Sequence, residues 1–284
     1  MVTIGGYVIH GNSAGTLGLC LDSLLSVCDR VVAIDSESSD GSALLSSERV
    51  VERVVFPWRG FGAARARAVE CLPGVDYIFF LDADEWLSPG APEVFARFRA
   101  SHPTLPQYKV RRRDWVEIHG RKRFSLRTET RVRIIRRDCA TWTPSMIVHE
   151  SMPRRVSQKI DLTVEHLFST SIEKTLGKMN QYAFLWAVCA AAHQQRARFT
   201  LGRRPLHFVR NAFLKGALWR GGMDAIRMSW VVARYHAEKY RYLRASRDPL
   251  FQDAVSAYKA GDYPRVFSFA AMATDSTLRG ATVA

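Results

Sequence analysis

The sequence predicts an α/β fold with a parallel sheet, followed by a helical C-terminal region. Four apolar patterns of strand length lie within the first hundred residues, at 3–10, 30–35, 49–56 and 76–81. Two helical patterns lie among them, at 15–27 and 61–72. Apolar strands that alternate with helices are typical of βαβ units on a parallel sheet. An Arg-rich stretch at 107–137 predicts hairpins, and the chain beyond residue 169 follows helical patterns.

Acidic clusters follow two of the predicted strands. The fourth strand runs into YIFFLDADEWLSPG at 77–90, where Asp82 and Asp84 alternate and would point the same way if the strand continued. Carboxylates this close repel one another unless a positive charge meets them. Paired carboxylates suit a hard divalent ion that takes further ligands from a diphosphate. The alternative is a solvated turn at the end of a strand.

The second strand is followed by DSESSDGS at 35–42. Ligands of parallel sheets bind beyond the carboxyl ends of the strands, where this cluster and DADE would both lie. Asp35 and Asp40 are therefore candidates to accept hydrogen bonds from a nucleotide base or ribose. The alternative is a helix cap and turn, because Asp and Ser both satisfy free N–H groups there.

The composition is strongly basic, with 41 Lys and Arg against 27 Asp and Glu and a net charge of +14. Residues 193–247 alone hold 13 Lys and Arg against 2 Asp and Glu. Such a surface attracts nucleic acid, anionic membranes or phosphorylated substrates. Five cysteines without a CxxC pair indicate a reducing compartment. We expect a cytoplasmic protein, because no signal peptide or spanning segment is evident.

Five segments together resemble bacterial family 2 glycosyltransferases, and within them the lipopolysaccharide-core β-1,4-glucosyltransferase type. These segments are DSESSDG, PWRGFGAARARAV, FFLDADEWLSP, RVRIIRRD and WTPSMIVHESM, in this order. The resemblance covers roughly residues 3–192. It implies a GT-A fold, meaning a Rossmann-like nucleotide-diphospho-sugar transferase domain. It also implies a nucleotide-sugar donor, a Mg²⁺ or Mn²⁺ ion, and inversion at the anomeric carbon.

The resemblance also implies roles for individual residues. The implied donor-nucleotide contacts are Asn12, Asp35, Asp40, Arg65 and Asp82. The implied metal ligands are Asp84, Asp82 and His149. The implied contacts to the diphosphate or acceptor are Arg133, Arg136, Glu85, Lys178 and Tyr182. A further family histidine matches His166, and Asn180 completes a K-x-N-x-Y motif.

Inverting transfer needs a base that takes the proton of the acceptor hydroxyl. Glu150, which follows His149, is the first candidate, and Asp114 is the alternative. A salt bridge from Glu150 to an arginine is the plain structural explanation. A solvated strand face would equally explain Arg133 and Arg136, and helix packing would explain the K-x-N-x-Y motif.

Two positions depart from the family pattern. Ser13 replaces an acidic residue after the first strand, and Ala66 stands where the family carries Asn. Both lie near the expected donor site, so they leave open a catalytically degenerate protein that binds or scaffolds without turnover. Nucleic-acid binding is the third hypothesis. Paired acidic clusters at strand ends would repel phosphates, so we expect no nucleic-acid partner.

The C-terminal region combines basic residues with large apolar ones. The apolar set comprises Phe208, Phe213, Leu214, Leu218, Trp219, Met228, Trp230, Val231, Val232 and Tyr235. Basic amphipathic helices with aromatic residues lie on anionic membrane surfaces. A helical core with arginines outward is the alternative. We expect a catalytic domain over 1–168 and a membrane- or acceptor-associated region over 169–284, with no assigned role for the tail at 248–284.

The function predicted from the sequence is therefore metal-dependent, inverting transfer of a hexose. The donor would be a UDP-sugar, with UDP-glucose as the default. The acceptor would be lipopolysaccharide core or another lipid-linked glycan. The enzyme would act peripherally at the inner face of the cytoplasmic membrane.

Overall fold

The structure, a computed structural model, describes residues 1–49, 51–118, 120, 122–148, 153, 155–195, 203–245 and 247–281. The chain divides into two compact units. The first comprises Met1–Asp114, Thr128–Pro144 and Glu150–Phe168. The second comprises Trp115–Arg127, Ser145–His149 and Ser169–Ala284.

Within the described residues, eight strands form one mixed sheet. They are β1 (Ile4–His10), β2 (Arg30–Asp35), β3 (Glu52–Val55), β4 (Tyr77–Asp82), β5 (Glu85–Leu87), β6 (Gln107–Ile118), β7 (Lys122–Arg136) and β8 (Ser157–Ser169). The strand order is β3-β2-β1-β4-β7-β6-β8-β5. The four strands β3, β2, β1 and β4 run parallel. Strand β7 pairs antiparallel with β4, and β5 pairs antiparallel with β8.

Helices cover both faces of the parallel strands. They are α1 (Ala14–Leu25), α2 (Ser42–Glu48), α3 (Phe61–Glu70) and α4 (Ala91–Ala100). Leu21 of α1 and Phe95 of α4 belong to one buried cluster, while Ala64 and Ala68 of α3 belong to another. Burying apolar area on both faces stabilises the sheet and holds the carboxyl ends of its strands in fixed positions.

The second unit is mainly helical in its described part. Its helices are α5 (Ile172–Ala192), α6 (Arg203–Val209), α7 (Ala217–Arg244), α8 (Pro249–Lys259) and α9 (Tyr263–Ala281). A π-helical turn, Arg210–Leu214, follows α6. Phe184 packs edge-on against Tyr242 and Phe251, with ring centroids 5.3 and 5.7 Å apart, in the core of this unit. Over the described residues, each helix is too short or too polar to cross a bilayer.

The observed elements confirm the predicted α/β alternation and differ from it in places. Helix α2 begins at Ser42, the last residue of the turn predicted after the second strand. The rest of α2, together with α4 and β5, carried no prediction. The acidic segment is not one extended strand, because β4 ends at Asp82 and β5 begins at Glu85. The basic segment after Pro205 is also broken, because Gly216 adopts φ 67° before α7 begins.

Candidate active site

The register of the parallel strands brings the two acidic segments to one edge of the sheet. His10 at the end of β1 pairs with Asp35 at the end of β2. On the other side of β1, Ile9 pairs with Asp82 at the end of β4. The loops that follow these three strands therefore start side by side, as the sequence predicted for a parallel sheet.

The loops after β1 and β2 are tied together by hydrogen bonds to backbone N–H groups. Asn12 Oδ1 accepts from the N–H groups of Ser39 at 2.8 Å and Asp40 at 3.2 Å. Asp40 Oδ2 accepts from Ala14 N–H at 3.0 Å, and its Oδ1 accepts from Ser42 N–H at 2.9 Å. The bonds from Ser42 hold the pKa of Asp40 below its ordinary value. These contacts fix the loops relative to each other.

Asp35 is buried and has a cationic partner. Its Oδ1 accepts from Ser38 N–H at 2.9 Å, and its Oδ2 accepts from Arg53 Nε at 2.9 Å. Burial opposes ionisation, but the bonds from Ser38 and Arg53 hold the pKa of Asp35 below its ordinary value. His10 Nδ1 lies 3.7 Å from Asp35 Oδ1, and burial lowers the pKa of this histidine. Within the described residues, buried His10 Nε2 has no hydrogen-bond partner.

Two arginines hold Asp82 from both sides. Its Oδ1 accepts from Arg65 Nη2 at 2.9 Å, and its Oδ2 accepts from Arg133 Nη2 at 3.0 Å. Arg133 also donates to Glu85, and Glu85 Oε2 accepts from the N–H of Asp82 at 3.1 Å. Both guanidinium groups lie over the ring of Phe80, at 4.8 and 4.9 Å from its centroid. Burial opposes ionisation, but Arg133 and Arg65 hold the pKa of Asp82 well below its usual range.

A second chain of contacts links Asp84 to Glu85 through three other side chains. His166 Nε2 lies 3.5 Å from Asp84 Oδ1, and His166 Nδ1 lies 2.7 Å from Asp114 Oδ1. Arg112 contacts both Asp114, at 3.0 Å, and Glu85, at 3.6 Å. Burial lowers the pKa of His166, but Asp84 and Asp114 together raise it to about 9. Burial raises the pKa of Glu85.

The donor groups at Asp84 fit a divalent ion that the protein holds through few ligands. No cluster of three or more Cys, His, Asp or Glu side chains suited to a metal occurs in the described part of the chain. The side chain of Asp84 is 34% exposed, and its Oδ1 lies 3.5 Å from His166 Nε2. Asp114 anchors the opposite nitrogen, as carboxylates commonly do for metal-binding histidines, and His166, whose pKa is raised to about 9, would lose its second proton to an ion at Nε2. Mg²⁺ and Mn²⁺ commonly take one or two protein ligands and fill the rest from phosphate and water.

The predicted residues His149 and Glu150 lie outside the described residues. Among the described ones, Arg136 does not join this cluster. Arg136 pairs with Tyr77, at the opposite end of β4 from Asp82, and donates to Asp138 at 2.7 Å. The structure therefore does not bring Arg136 to the acidic edge.

Three further predicted residues lie on α5 of the second unit. Lys178 Nζ is 5.8 Å from the ring centroid of Tyr182, and Asn180 is buried.

At the two positions that depart from the family pattern, Ser13 N–H donates to Ser42 Oγ at 2.7 Å and Ala66 lies within α3. Ser13 therefore fastens the loop after β1 to the start of α2.

Sequence reasoning assigned no role to His10, Arg53 or Arg112. His10 and Arg53 could have been noticed from the strand patterns, since both lie on strands adjacent to the first acidic cluster. Arg112 lies two residues from Asp114 on β6, but its contact with Glu85 of β5 gave no local signal.

Comparison with known proteins gives a family. The sequence model of the family described as Glycosyl transferase family 2 matches residues 8–158, more than half of the chain. The lipopolysaccharide core biosynthesis glycosyltransferase LpsC of Rhizobium meliloti (strain 1021) is 27% identical over 230 residues, covering 78% of this chain and 84% of LpsC. An uncharacterized glycosyltransferase of Rickettsia felis is 30% identical over 102 residues, 36% of each chain.

Two solved structures are similar at low identity. Staphylococcus aureus TarS 1–349 matches 98% of this chain and 92% of its own, with a TM-score of 0.40 and 15% identity. The Mycobacterium tuberculosis glucosyl-3-phosphoglycerate synthase, in complex with Mn²⁺, UDP and glucosyl-3-phosphoglycerate, matches 39% of this chain and 44% of its own. Its TM-score is 0.33, with 21% identity.

The family match covers the strands and loops that form the acidic edge, from β1 to the start of β8. The predicted fold class, an α/β GT-A domain with a helical C-terminal extension, is confirmed. The resemblance to lipopolysaccharide-core glycosyltransferases is confirmed by the similarity to LpsC. The chain is a glycosyltransferase, and it belongs to glycosyl transferase family 2.

Proposed function

We propose that the protein transfers a hexosyl group, with inversion, from a UDP-sugar to lipopolysaccharide core or another lipid-linked glycan. UDP-glucose is the proposed default donor. The similarity to LpsC supports the acceptor class. The observation that carries the proposal is that the two aspartates of DADE have different partners: two arginines bind Asp82, whereas Asp84 faces His166.

The nucleotide of the donor would lie at the ends of β1 and β2. Asp35 is the proposed acceptor for a base or ribose; its buried carboxylate is held at the end of β2 by Arg53 and Ser38. Buried His10 Nε2 offers a hydrogen-bonding atom beside it. Asn12 and Asp40 would contribute by holding both loops in place.

The diphosphate would lie at the end of β4. Asp84 and His166 are the side chains that would hold Mg²⁺ or Mn²⁺, and His149 remains a candidate further ligand. When bound, the ion neutralises charge that builds up on the departing UDP. Asp82, through Arg65 and Arg133, would fix the turn that presents Asp84.

The acceptor hydroxyl must lose a proton as its oxygen bonds to the anomeric carbon and UDP leaves with the bonding electron pair. Glu150 is the proposed base. Asp114 suits a positioning role better, because both its oxygens contact Arg112 and its Oδ1 also contacts His166 Nδ1. Lys178 and Tyr182 on α5 remain proposed acceptor contacts.

We further propose that residues 1–168 form the catalytic domain and residues 169–284 a helical region. This helical region would bind the anionic inner face of the cytoplasmic membrane. Large apolar side chains are exposed along α6, the π-helical turn and the start of α7. They include Leu206, Val209, Phe213, Leu214 (78%), Trp219 (80%) and Met223. By contrast, Met228, Val231, Val232 and Tyr235 are buried in this unit. Exposed aromatic and aliphatic residues among arginines suit the interface of an anionic bilayer.

The experiment that tests the transferase proposal measures donor hydrolysis over a panel of UDP-sugars with Mn²⁺ or Mg²⁺. The wild type is compared with Asp84→Asn and with Asp138→Asn, which changes an exposed carboxylate bound to Arg136. We expect metal-dependent hydrolysis of one UDP-sugar, lowered about 100-fold or more in Asp84→Asn because charge on the leaving group is then left unbalanced. Asp138→Asn should retain wild-type rates.

Two results would decide against the proposal. Equal rates in both variants would remove Asp84 from the mechanism. Binding of UDP without turnover of any sugar, with or without acceptor glycan, would favour the catalytically degenerate alternative.

The membrane proposal is tested by sedimentation with vesicles of phosphatidylcholine and phosphatidylglycerol. Leu214→Ser with Trp219→Ser should weaken binding, because the exposed apolar area available for insertion falls. The matched variant Met228→Leu changes a buried position and should bind as the wild type does. Unchanged binding of the double variant would contradict the proposal.

A further inference from the structure

The second unit contains a cluster of basic side chains, two histidines, an arginine and a lysine, that the proposed transfer does not use. The rings of His207 on α6 and His236 on α7 stack, with centroids 3.7 Å apart and planes 7° from parallel. Arg210 Nη2 lies 3.1 Å from His207 Nδ1. A guanidinium can only donate, so His207 Nδ1 accepts and this imidazole is neutral in the observed arrangement.

More positive charge surrounds the stacked rings. Lys239 follows His236 by three residues on α7, so the two share a face of the helix, and its Nζ lies 4.4 Å from the ring centroid of Tyr235 and 4.9 Å from that of Trp186. Burial, together with His207, Lys239 and Arg210, lowers the pKa of His236 to about 3. Burial lowers the pKa of Lys239 to about 8. Two neutral imidazoles therefore lie near the positive charges of Arg210 and Lys239.

The acidic side chains of α7 are engaged by other arginines. Glu238 contacts Arg234, at 3.4 Å, and Arg241. Asp224 lies 3.8 Å from Arg227. Neither of these two carboxylates is among the groups that shift the pKa of His236.

Polar atoms next to the cluster also lack partners. Among the described residues, buried Arg210 Nε has no hydrogen-bond acceptor. The next residue, Asn211, is 1% exposed, and neither its side-chain nitrogen nor its oxygen has a partner in the described part of the chain. Both residues belong to the π-helical turn. Buried polar groups are costly when left unpaired, so these atoms would gain from hydrogen bonds to a polar ligand.

We propose that His207, Arg210, His236 and Lys239 form a phosphate-binding site in the helical unit. A guanidinium, two imidazoles and an ammonium group supply several donors and the positive charge that a tetrahedral phosphate requires. The same chemistry would recognise inorganic phosphate, a phosphorylated sugar or a phospholipid headgroup. The inference does not depend on the identity of the transferred sugar, because the described residues that carry it all belong to the second unit.

The experiment follows the histidine ring protons of the full chain by NMR during titration with inorganic phosphate. Resonances of the stacked pair are assigned with His207→Asn and His236→Asn. The wild type should show saturable shifts at both rings. Arg210→Gln should weaken binding roughly tenfold, because a charged hydrogen bond is lost. The control Arg227→Gln, at a side chain 66% exposed on α7, should leave the affinity unchanged.

A second arm separates a lipid source of the phosphate from a free one. Vesicles of phosphatidylcholine, with or without phosphatidic acid, are tested against the same variants. The site takes a lipid headgroup if the protein binds only the vesicles with phosphatidic acid, and if Arg210→Gln weakens this binding while Arg227→Gln does not. Lys239→Met replaces Arg210→Gln if the latter fails to fold. Equal weakening by Arg210→Gln and Arg227→Gln, or no response to either probe, would overturn the proposal.

Discussion

The two acidic turns at the edge of the sheet hold their carboxylates in different ways. In the turn after β2, Asp40 accepts from backbone N–H groups, as Asn12 of the neighbouring loop after β1 does, although Asp35 at the end of β2 also binds Arg53. After β4, Asp82 and Glu85 bind to the arginine Arg133. A hydrogen bond to a backbone N–H group breaks only if the loop itself changes conformation. A side chain, by contrast, can rotate away from its ionic partner and bind a charged ligand instead. The first turn is therefore built to fix shape, and the second to balance charge.

The largest effect is expected from removing a charge of the second turn. Arg133→Met leaves Asp82 with only Arg65 and Glu85 with only the more distant Arg112, at 3.6 Å, so the buried charges are incompletely balanced and the free energy of unfolding should fall by about 3 kcal/mol. The measurement is urea denaturation. The matched variant Arg131→Met changes a half-exposed arginine of the same strand, bound to Glu129, and should cost about 1 kcal/mol or less. Equal losses in the two variants would show that the buried charges are not balanced by Arg133.

A positioning role for Asp114 predicts the next effect. Asp114→Asn weakens the hold on His166 Nδ1 and should lower the affinity for Mn²⁺, measured with UDP present, about 10- to 100-fold. The control Asp161→Asn lies on β8, with an 82% exposed side chain that pairs with Arg111, and should bind Mn²⁺ normally. Wild-type affinity in Asp114→Asn would remove this residue from the metal site.

Removing the hydrogen bonds that join the loops after β1 and β2 should lower the stability of the protein. Asn12→Ala removes two backbone-directed hydrogen bonds and places alanine at φ 51°, a conformation that asparagine tolerates better. We expect a loss of about 2 kcal/mol, seen as a melting temperature lower by roughly 5 °C. Ser39→Ala, which removes only a hydroxyl 3.3 Å from Asn12 Oδ1, should melt within about 1 °C of the wild type. The comparison between the turns would fail if Asn12→Ala melted like Ser39→Ala.

The smallest effect concerns pH. The folded-state pKa of Asp35 lies below its ordinary value of 3.8, so its contribution to stability is present above that pH and is lost as the pH falls below it. Asp35→Asn should therefore be less stable than the wild type near pH 7, and the gap should narrow toward pH 3. Denaturation curves at both pH values measure the gap. A gap that stays constant with pH would mean that ionised Asp35 contributes nothing to folding.

The sequence predicted the parts of the fold that depend on local pattern. Strands β1, β2 and β4 are long apolar runs, and a parallel arrangement places both acidic clusters at one edge, which the register confirms. Helix α4 carried no prediction, although its buried residues Ala91, Phe95 and Phe98 follow a helical spacing.

The details of the site could not be predicted, because they depend on contacts between distant strands. Asp114 and His166 are 52 residues apart. Nothing local to DADE indicated that Asp82 would bind two arginines while Asp84 faced a histidine. The resemblance favoured Asp84 over Asp82 as the direct metal ligand, but the sequence could not show that β4 ends at Asp82.

The central claim, that Asp84 is the carboxylate that meets the metal, is tested most directly by Mn²⁺ binding. Electron paramagnetic resonance reports free and bound Mn²⁺ in the presence of UDP for the wild type and for Asp84→Asn. We predict tight UDP-dependent binding by the wild type and a loss of at least about 100-fold in the variant, since half of the two-residue donor set is gone. Mn²⁺ binding of equal strength in both proteins would contradict the account.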